Sequence, residues 1–194
     1  MELKNITLRY QDRPVLDRFS LTLPDRGIVC LFGPSGCGKT SLLRVLAGLE
    51  TPESGDISGM VPCSMVFQED RLLPWLSAEK NITAVTGVSP AVAREYLALA
   101  GLEAEAKSLP ASLSGGMRRR VAIVRALCMK RPLLLLDEPF QGLDEAAREA
   151  LYSPIRDFAK TALVVMVTHH PEEAQALGAQ VLTFSGPPMT LTAP

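Results

Sequence analysis

The chain has 194 residues, 47% hydrophobic and 21% charged, with a net charge of −1. That length suits one domain with a packed core, and the balanced charge excludes the basic field that holds nucleic acid or an anionic membrane. The apolar runs at 133–136 and 162–167 fall far short of the roughly 20 residues of a membrane span.

In chain order, Leu8 and Tyr10 alternate with polar residues, as do Phe19, Leu21 and Leu23. Turn chemistry at 11–14 and 24–27 makes these half-buried strands. The run 28–32 is almost wholly apolar, the pattern of a strand buried on both faces. A glycine-rich turn and a helix over 41–49 follow. Residues 76–112 show no strand pattern. Within them, 91–99 reads as a helix with Ser89 as N-cap and Pro90 in the first turn, so this segment is a helical insert. After 113–117 a further helix places Met117, Val121, Val124 and Cys128 on one stripe. Arg118, Arg119 and Arg125 fall largely on the other face, and the triplet Arg118-Arg119-Arg120 reads as a solvated surface. The runs 133–136 and 163–167 are each followed by a polar turn and a helix, at 144–158 and 172–177. Buried strands alternating with helices imply an α/β fold with a parallel sheet and helices on both faces. The ligand then lies beyond the C-terminal strand ends.

The segment Gly33-Pro34-Ser35-Gly36-Cys37-Gly38-Lys39-Thr40 fits G-x-x-x-x-G-K-[ST] between a buried strand and a helix, as that motif requires. Gly36 and Gly38 let backbone N–H groups turn toward phosphate oxygens, and the helix dipole adds to the same point. Lys39 is expected to reach the β- and γ-phosphates, and Thr40 to offer a hydroxyl to Mg²⁺. Ser41 is a further nucleotide contact. The N–H groups around Cys37 favour a thiolate, so alkylation there is expected to block activity and ATP to protect.

At the end of the run 133–136, Asp137 is placed to hold Mg²⁺, and Glu138 to polarise an attacking water. An Asp-Glu-Pro alone equally suits a strand end capping the next helix. Ser114, Gly115 and Gly116 open a helix, where an anion can bind. In isolation they are a cap and a turn. A nucleotide in the first phosphate site cannot also occupy this one without a partner chain.

With these motifs in this order, the chain resembles the nucleotide-binding subunit of an ABC transporter over nearly its whole length. Gln68, in Val66-Phe67-Gln68-Glu69, matches the Q-loop glutamine. Leu113–Met117 in turn matches the signature, 133–138 the Walker B strand, 140–144 the D-loop ending in Asp144, and Thr168-His169 the switch histidine. Tyr10 matches the aromatic that stacks on adenine. The resemblance implies a P-loop NTPase, a RecA-like parallel sheet core with flanking helices, a small antiparallel β part and a helical insert. The domain is 1–194, with its core at 1–75 and 113–194 and the helical part at approximately 76–112. It also implies a head-to-tail dimer, with ATP held between the phosphate loop of one copy and Ser114, Gly115 and Gly116 of the other. Glu138 activates water, His169 contacts the γ-phosphate, Asp144 lies near the nucleotide, and Gln68 links Mg²⁺ to a membrane subunit.

The stretch 66–80, with Arg71-Leu72-Leu73-Pro74-Trp75, is similar to the nitrate, sulfonate and taurine group of importer ATPases. Leu72, Leu73 and Trp75 belong either to the core or to a groove for a membrane subunit. The implied function is ATP hydrolysis that powers solute import. The implied partners are a second copy, integral membrane permease subunits and, indirectly, a solute-binding protein, with no nucleic acid. With no apolar signal core in Met-Glu-Leu-Lys-Asn, the expected location is the cytosol, peripheral on the cytoplasmic membrane face. Its four cysteines would stay reduced there. A soluble ABC ATPase without a transport partner is the alternative. Met117, Gln141 and His170 depart from the family pattern but leave Lys39, Asp137, Glu138 and His169 intact. The intervals from Lys39 to Gln68 and from Gln68 to Leu113 are short for the family. That points to trimming near 54–65 and in the helical insert. The strand 181–184 comes late in the chain, so no C-terminal regulatory domain is expected.

Overall fold

Uninterrupted apolar runs form the middle of the sheet, and alternating runs form its cover. In the computed structural model, which describes residues 1–192, the order is β1 (Glu2–Tyr10), β2 (Arg13–Thr22), β3 (Gly27–Phe32), α1 (Lys39–Leu46), β4 (Ser54–Ser58) and β5 (Cys63–Val66). Then come α2 (Ala78–Thr86), α3 (Pro90–Leu99), α4 (Gly115–Cys128), β6 (Leu133–Asp137), α5 (Glu145–Ala159), β7 (Leu163–Val167), α6 (Pro171–Leu177), β8 (Gln180–Ser185) and β9 (Thr190–Leu191). Residues 193 and 194 of the expected domain lie outside the described residues.

The main sheet runs β5-β6-β7-β3-β8-β9, parallel except for the antiparallel β9. Every residue of β6 and β7 is buried. Strand periodicity divides their side chains between two layers. Leu134, Leu136, Val164, Met166, Ile28 and Cys30 share a core with α4 and α5. Leu133, Leu135, Val165, Val167, Val29 and Leu31 share the other with α1 and the β1–β2 hairpin. The second, antiparallel sheet runs β2-β1-β4.

Two boundaries differ from the sequence reading. The helix expected over 41–49 starts at Lys39, with Gly38 as N-cap, and stops at Leu46 before the positive-φ Gly48. The region 54–65 is divided: β4 joins β1, whereas β5 is the edge of the parallel sheet beside β6. Residues 76–112 contain α2 and α3, whose first turns are capped by Ser77 and Ser89, each hydroxyl accepting a hydrogen bond, from the N–H of Lys80 and Val92 respectively.

Candidate active site

The phosphate-loop turn closes over the C-terminal end of β3. Gly38 has φ of 115°, a conformation that costs glycine little and other residues much. At Gly33 a Cβ would stand 2.5 Å from the Phe184 carbonyl oxygen, so the loop reaches this close only without a side chain. No side chain caps α1, leaving its first N–H groups open toward the cleft. Lys39 is buried, and its ammonium donates to the carbonyls of Gly33 (2.7 Å) and Pro34 (2.8 Å). It is curled back over its own loop. Cys37 is fully buried, with its Sγ 3.7 Å from Lys39 Nζ. The expectation of a reagent-accessible thiol is therefore corrected: the turn aims the Cys37 side chain into the core while its N–H bonds to the Pro34 carbonyl at 3.3 Å.

A cleft of about 410 Å³ stands above this loop. It is lined by Ser35, Gly36, Gly38, Lys39, Thr40 and Ser41 from the phosphate turn, Tyr10 and Val15 from the hairpin, and Gln68, Glu138, Val167 and His169 from the strand ends. Tyr10 is 39% exposed at its rim. A larger groove of about 490 Å³, near Tyr96, Lys130 and Phe158, contains none of the motif residues.

Asp137 ends β6, buried, and accepts a hydrogen bond from the Thr40 hydroxyl at 3.3 Å. Burial raises its carboxyl above the ordinary range, opposed by the Thr40 hydrogen bond. A hydroxyl, a desolvated carboxylate and the Gln68 amide are hard oxygen donors and fit Mg²⁺. No cluster of three His, Cys, Asp or Glu side chains suited to a metal occurs among the described residues, so such an ion would also need nucleotide oxygens. The Glu138 carboxylate lies 3.0 Å from His169 Nε2. Its φ of 48° is left-handed, a strained conformation costing roughly 1–3 kcal/mol that concentrates at functional sites.

The family profile described as ABC transporter matches residues 16–141, more than half of the chain. The chain belongs to the ABC transporter family. It is 40% identical over 189 residues to the aliphatic sulfonates import ATP-binding protein SsuB 1 of Pseudomonas syringae pv. tomato, covering 95% of this chain and 70% of the relative. It is 41% identical over 203 residues to SsuB 2 of Burkholderia lata, covering 97% and 74%. Among solved structures, the dimeric bacterial ABC transporter cassette MJ0796 matches with a TM-score of 0.85 and 27% identity, covering 95% of this chain and 94% of that one. A post-hydrolysis state of the same cassette, bound to ADP and Pi, matches with a TM-score of 0.81 and 27% identity, covering 94% and 93%. This ABC protein is accordingly an ATPase.

The ABC motifs are not all in one place. Ser114, Gly115 and Gly116 open α4 and line none of the phosphate cleft; the Ser114 hydroxyl accepts from the Met117 N–H at 3.2 Å. Asp144 does not line it either. Its carboxylate caps α5, accepting from the Ala147 N–H at 2.8 Å, so the expectation of an Asp144–nucleotide contact is not met within one chain. Trp75 is 72% exposed, which answers the core-or-surface question for that side chain.

The solvated arginine face also needs correction. Arg119 is 3% exposed, Arg118 donates to the Leu113 carbonyl at 3.1 Å, and Arg120 to the Ala100 carbonyl at 2.7 Å. The end of β6 and the loops after β5 and β6 present main-chain carbonyls to Arg119 and Arg125 on this side of α4. Burial pulls the Arg119 guanidinium below its ordinary value, with Asp70 opposing. Sequence reasoning also passed over Glu173. It is buried, accepts from the Thr168 hydroxyl beside His169, and is pushed upward by burial. Its only sequence signal was a glutamate on the inner side of a short helix.

Proposed function

We propose that this ABC ATPase drives import of aliphatic sulfonates or chemically similar solutes, as a head-to-tail dimer beneath two integral membrane permease subunits. The solute class is supported by the relatives' names, and the head-to-tail dimer by the separation of the two anion-binding helix ends. The carrying observation is that the cleft contains Lys39, Thr40 and the Glu138–His169 pair at 3.0 Å, with buried Asp137 bonded to Thr40 behind it, whereas the second helix end, Ser114 to Gly116, opens elsewhere.

In this reading Ser35 to Ser41 hold the phosphates by backbone N–H groups, and Tyr10 supports the base. Lys39 exchanges its carbonyl partners for phosphate oxygens. Thr40, Asp137 and Gln68 would hold Mg²⁺, which when bound neutralises charge on the transferred phosphoryl group. Glu138 takes the proton of the attacking water, and His169 orients that carboxylate from 3.0 Å. Asp144 would act near the nucleotide of the partner copy, through the helix it caps. We further propose the division into a core at 1–75 and 113–194 and a helical part at 76–112, with exposed Trp75 at their junction facing the permease. No helix among the described residues is long and apolar enough to cross a membrane, so the proposed peripheral position on the cytoplasmic face depends on the permease.

Glu138→Gln tests the site. Hydrolysis is expected to fall by about 10²–10⁴, the usual contribution of a general base, with ATP binding kept and a dimer on size-exclusion in ATP. A persistent monomer would defeat the sandwich. Affinity purification from detergent extract tests transport: recovery without any membrane subunit favours a soluble ABC ATPase.

A further inference from the structure

The Arg119 side chain lies at a convergence of main-chain carbonyls. Its Nε donates to Pro139 O at 3.1 Å, and its Nη2 to Asp137 O at 2.8 Å and Glu138 O at 2.7 Å. Its Nη1 donates to Phe67 O, to Gln68 O at 3.2 Å and to Asp70 Oδ1 at 3.4 Å. Five carbonyls and one carboxylate thus share the five N–H donors of one guanidinium. One carbonyl ends β6, two follow it and two follow β5. In extended backbone, successive carbonyls point to opposite sides. The left-handed φ of 48° at Glu138 breaks that alternation and lets residues 137, 138 and 139 all aim at Arg119.

We propose that Arg119 is a positioning residue for hydrolysis: by tying the loop after β5 to the turn after β6, it sets Gln68 and Glu138 relative to each other and to the N-terminus of α4. The inference rests on the reading of Gln68 and Glu138 given above. The planar fork matters as much as the charge. A lysine has three donors on one nitrogen and cannot span both loops. Arg125 gives an independent anchor, donating to Arg71 O at 3.0 Å and Asp70 O at 3.1 Å. The loop therefore stays attached when Arg119 is replaced, and what changes is its registration against Glu138. The same link joins the signature helix to the hydrolytic carboxylate, so docking of a second copy at Ser114 is transmitted to Glu138 through one side chain.

The test uses the full chain with Arg119→Gln and Arg119→Lys. Three quantities are measured: steady-state ATP hydrolysis, ATP affinity by titration, and amide exchange by mass spectrometry in peptides spanning 67–71 and 137–141. Both variants are expected to lose about tenfold or more in kcat with ATP affinity changed less than about threefold. Both peptides should exchange at least about tenfold faster, with α4 and β7 unchanged. Where Arg119→Gln does not fold, Arg119→Lys, which keeps the charge, carries the same expectation. The proposal is overturned by kcat within about twofold of the parent, by unchanged exchange in either loop, or by kcat and affinity falling together with exchange across the whole chain. Glu138→Gln is run alongside: a parental rate there removes the role assigned to Glu138, and the exchange data still decide the Arg119 tie.

Discussion

Two helices of this chain begin with glycine-rich turns, yet their first turns are finished differently. At α1 the N-cap is Gly38, no side chain caps the helix, and the cleft lined by Lys39, Thr40, Glu138 and His169 stands before it. At α4 the Ser114 hydroxyl occupies the Met117 N–H, Ser114 and Gly115 are exposed, and no part of the phosphate cleft faces them. The first end is wired to a charged lysine, two carboxylates and a histidine. The second offers dipole and N–H groups alone. An anion site needs both donors and an opposing surface, so the first can bind phosphate within one chain, whereas the second offers donors with no surface of its own opposite them.

The strongest way to break the comparison is Lys39→Ala. It removes a buried ammonium whose charge-assisted bonds to phosphate oxygens are worth roughly 1.5–3 kcal/mol. It also releases the carbonyls of Gly33 and Pro34 that the ammonium now holds. ATP affinity of the isolated subunit is expected to fall about 10- to 100-fold in a nucleotide titration. Unchanged affinity would show that α1 is no more a nucleotide site than α4.

Ser114→Arg acts on the other end. It removes a cap worth about 1 kcal/mol and fills the approach to Gly115 and Gly116. Affinity of the isolated subunit should change less than about twofold, while ATP-dependent dimerisation and hydrolysis are lost. Mixing the two inactive variants sharpens the point, because a mixed dimer contains one site built from an intact phosphate loop and an intact Ser114 turn. Recovery of hydrolysis on mixing is expected; no recovery above the separate variants would contradict head-to-tail pairing.

What the sequence made legible follows the same divide. Local signals carry through: the apolar runs became β3, β6 and β7, Ser89 and Pro90 opened α3, and the phosphate turn came out between strand and helix as its pattern requires. Gln68, Glu138 and His169 are far apart in the chain but met in the cleft, because each follows the end of a parallel strand and such ends share one edge. The arginines of α4 were misread. Helical periodicity places Arg119 and Arg125 opposite the Met117 stripe, but it carries no information about what covers that side. The cover is irregular backbone, and its carbonyls have no signature in side-chain pattern. Cys37 differs for a related reason: the motif fixes where its N–H points, whereas the path of the turn over β3 decides that its thiol is buried.

The smallest expected effect concerns the stability cost of the phosphate-loop site. Asp137 is 4% exposed, and burial raises its carboxyl from its ordinary value of 3.8. The folded chain therefore holds this proton at pH values where the unfolded chain has released it. Stability present at low pH is lost as pH rises through the folded value. Glu173 has the same sign and is common to parent and variant. Asp137→Asn keeps the shape and the Thr40 contact without the buried charge. Its Tm in calorimetry, without nucleotide, should match the parent at low pH and exceed it at neutral pH. Added Mg²⁺ and ATP should reverse the order, because the carboxylate then gains a cation and ligand binding stabilises the native parent. A variant less stable than the parent at every pH would show that Asp137 is held by its protein partners alone. No comparable gain is expected at the α4 end, where Ser114→Ala only removes a cap: the strained, charged end is the one built to wait for a ligand.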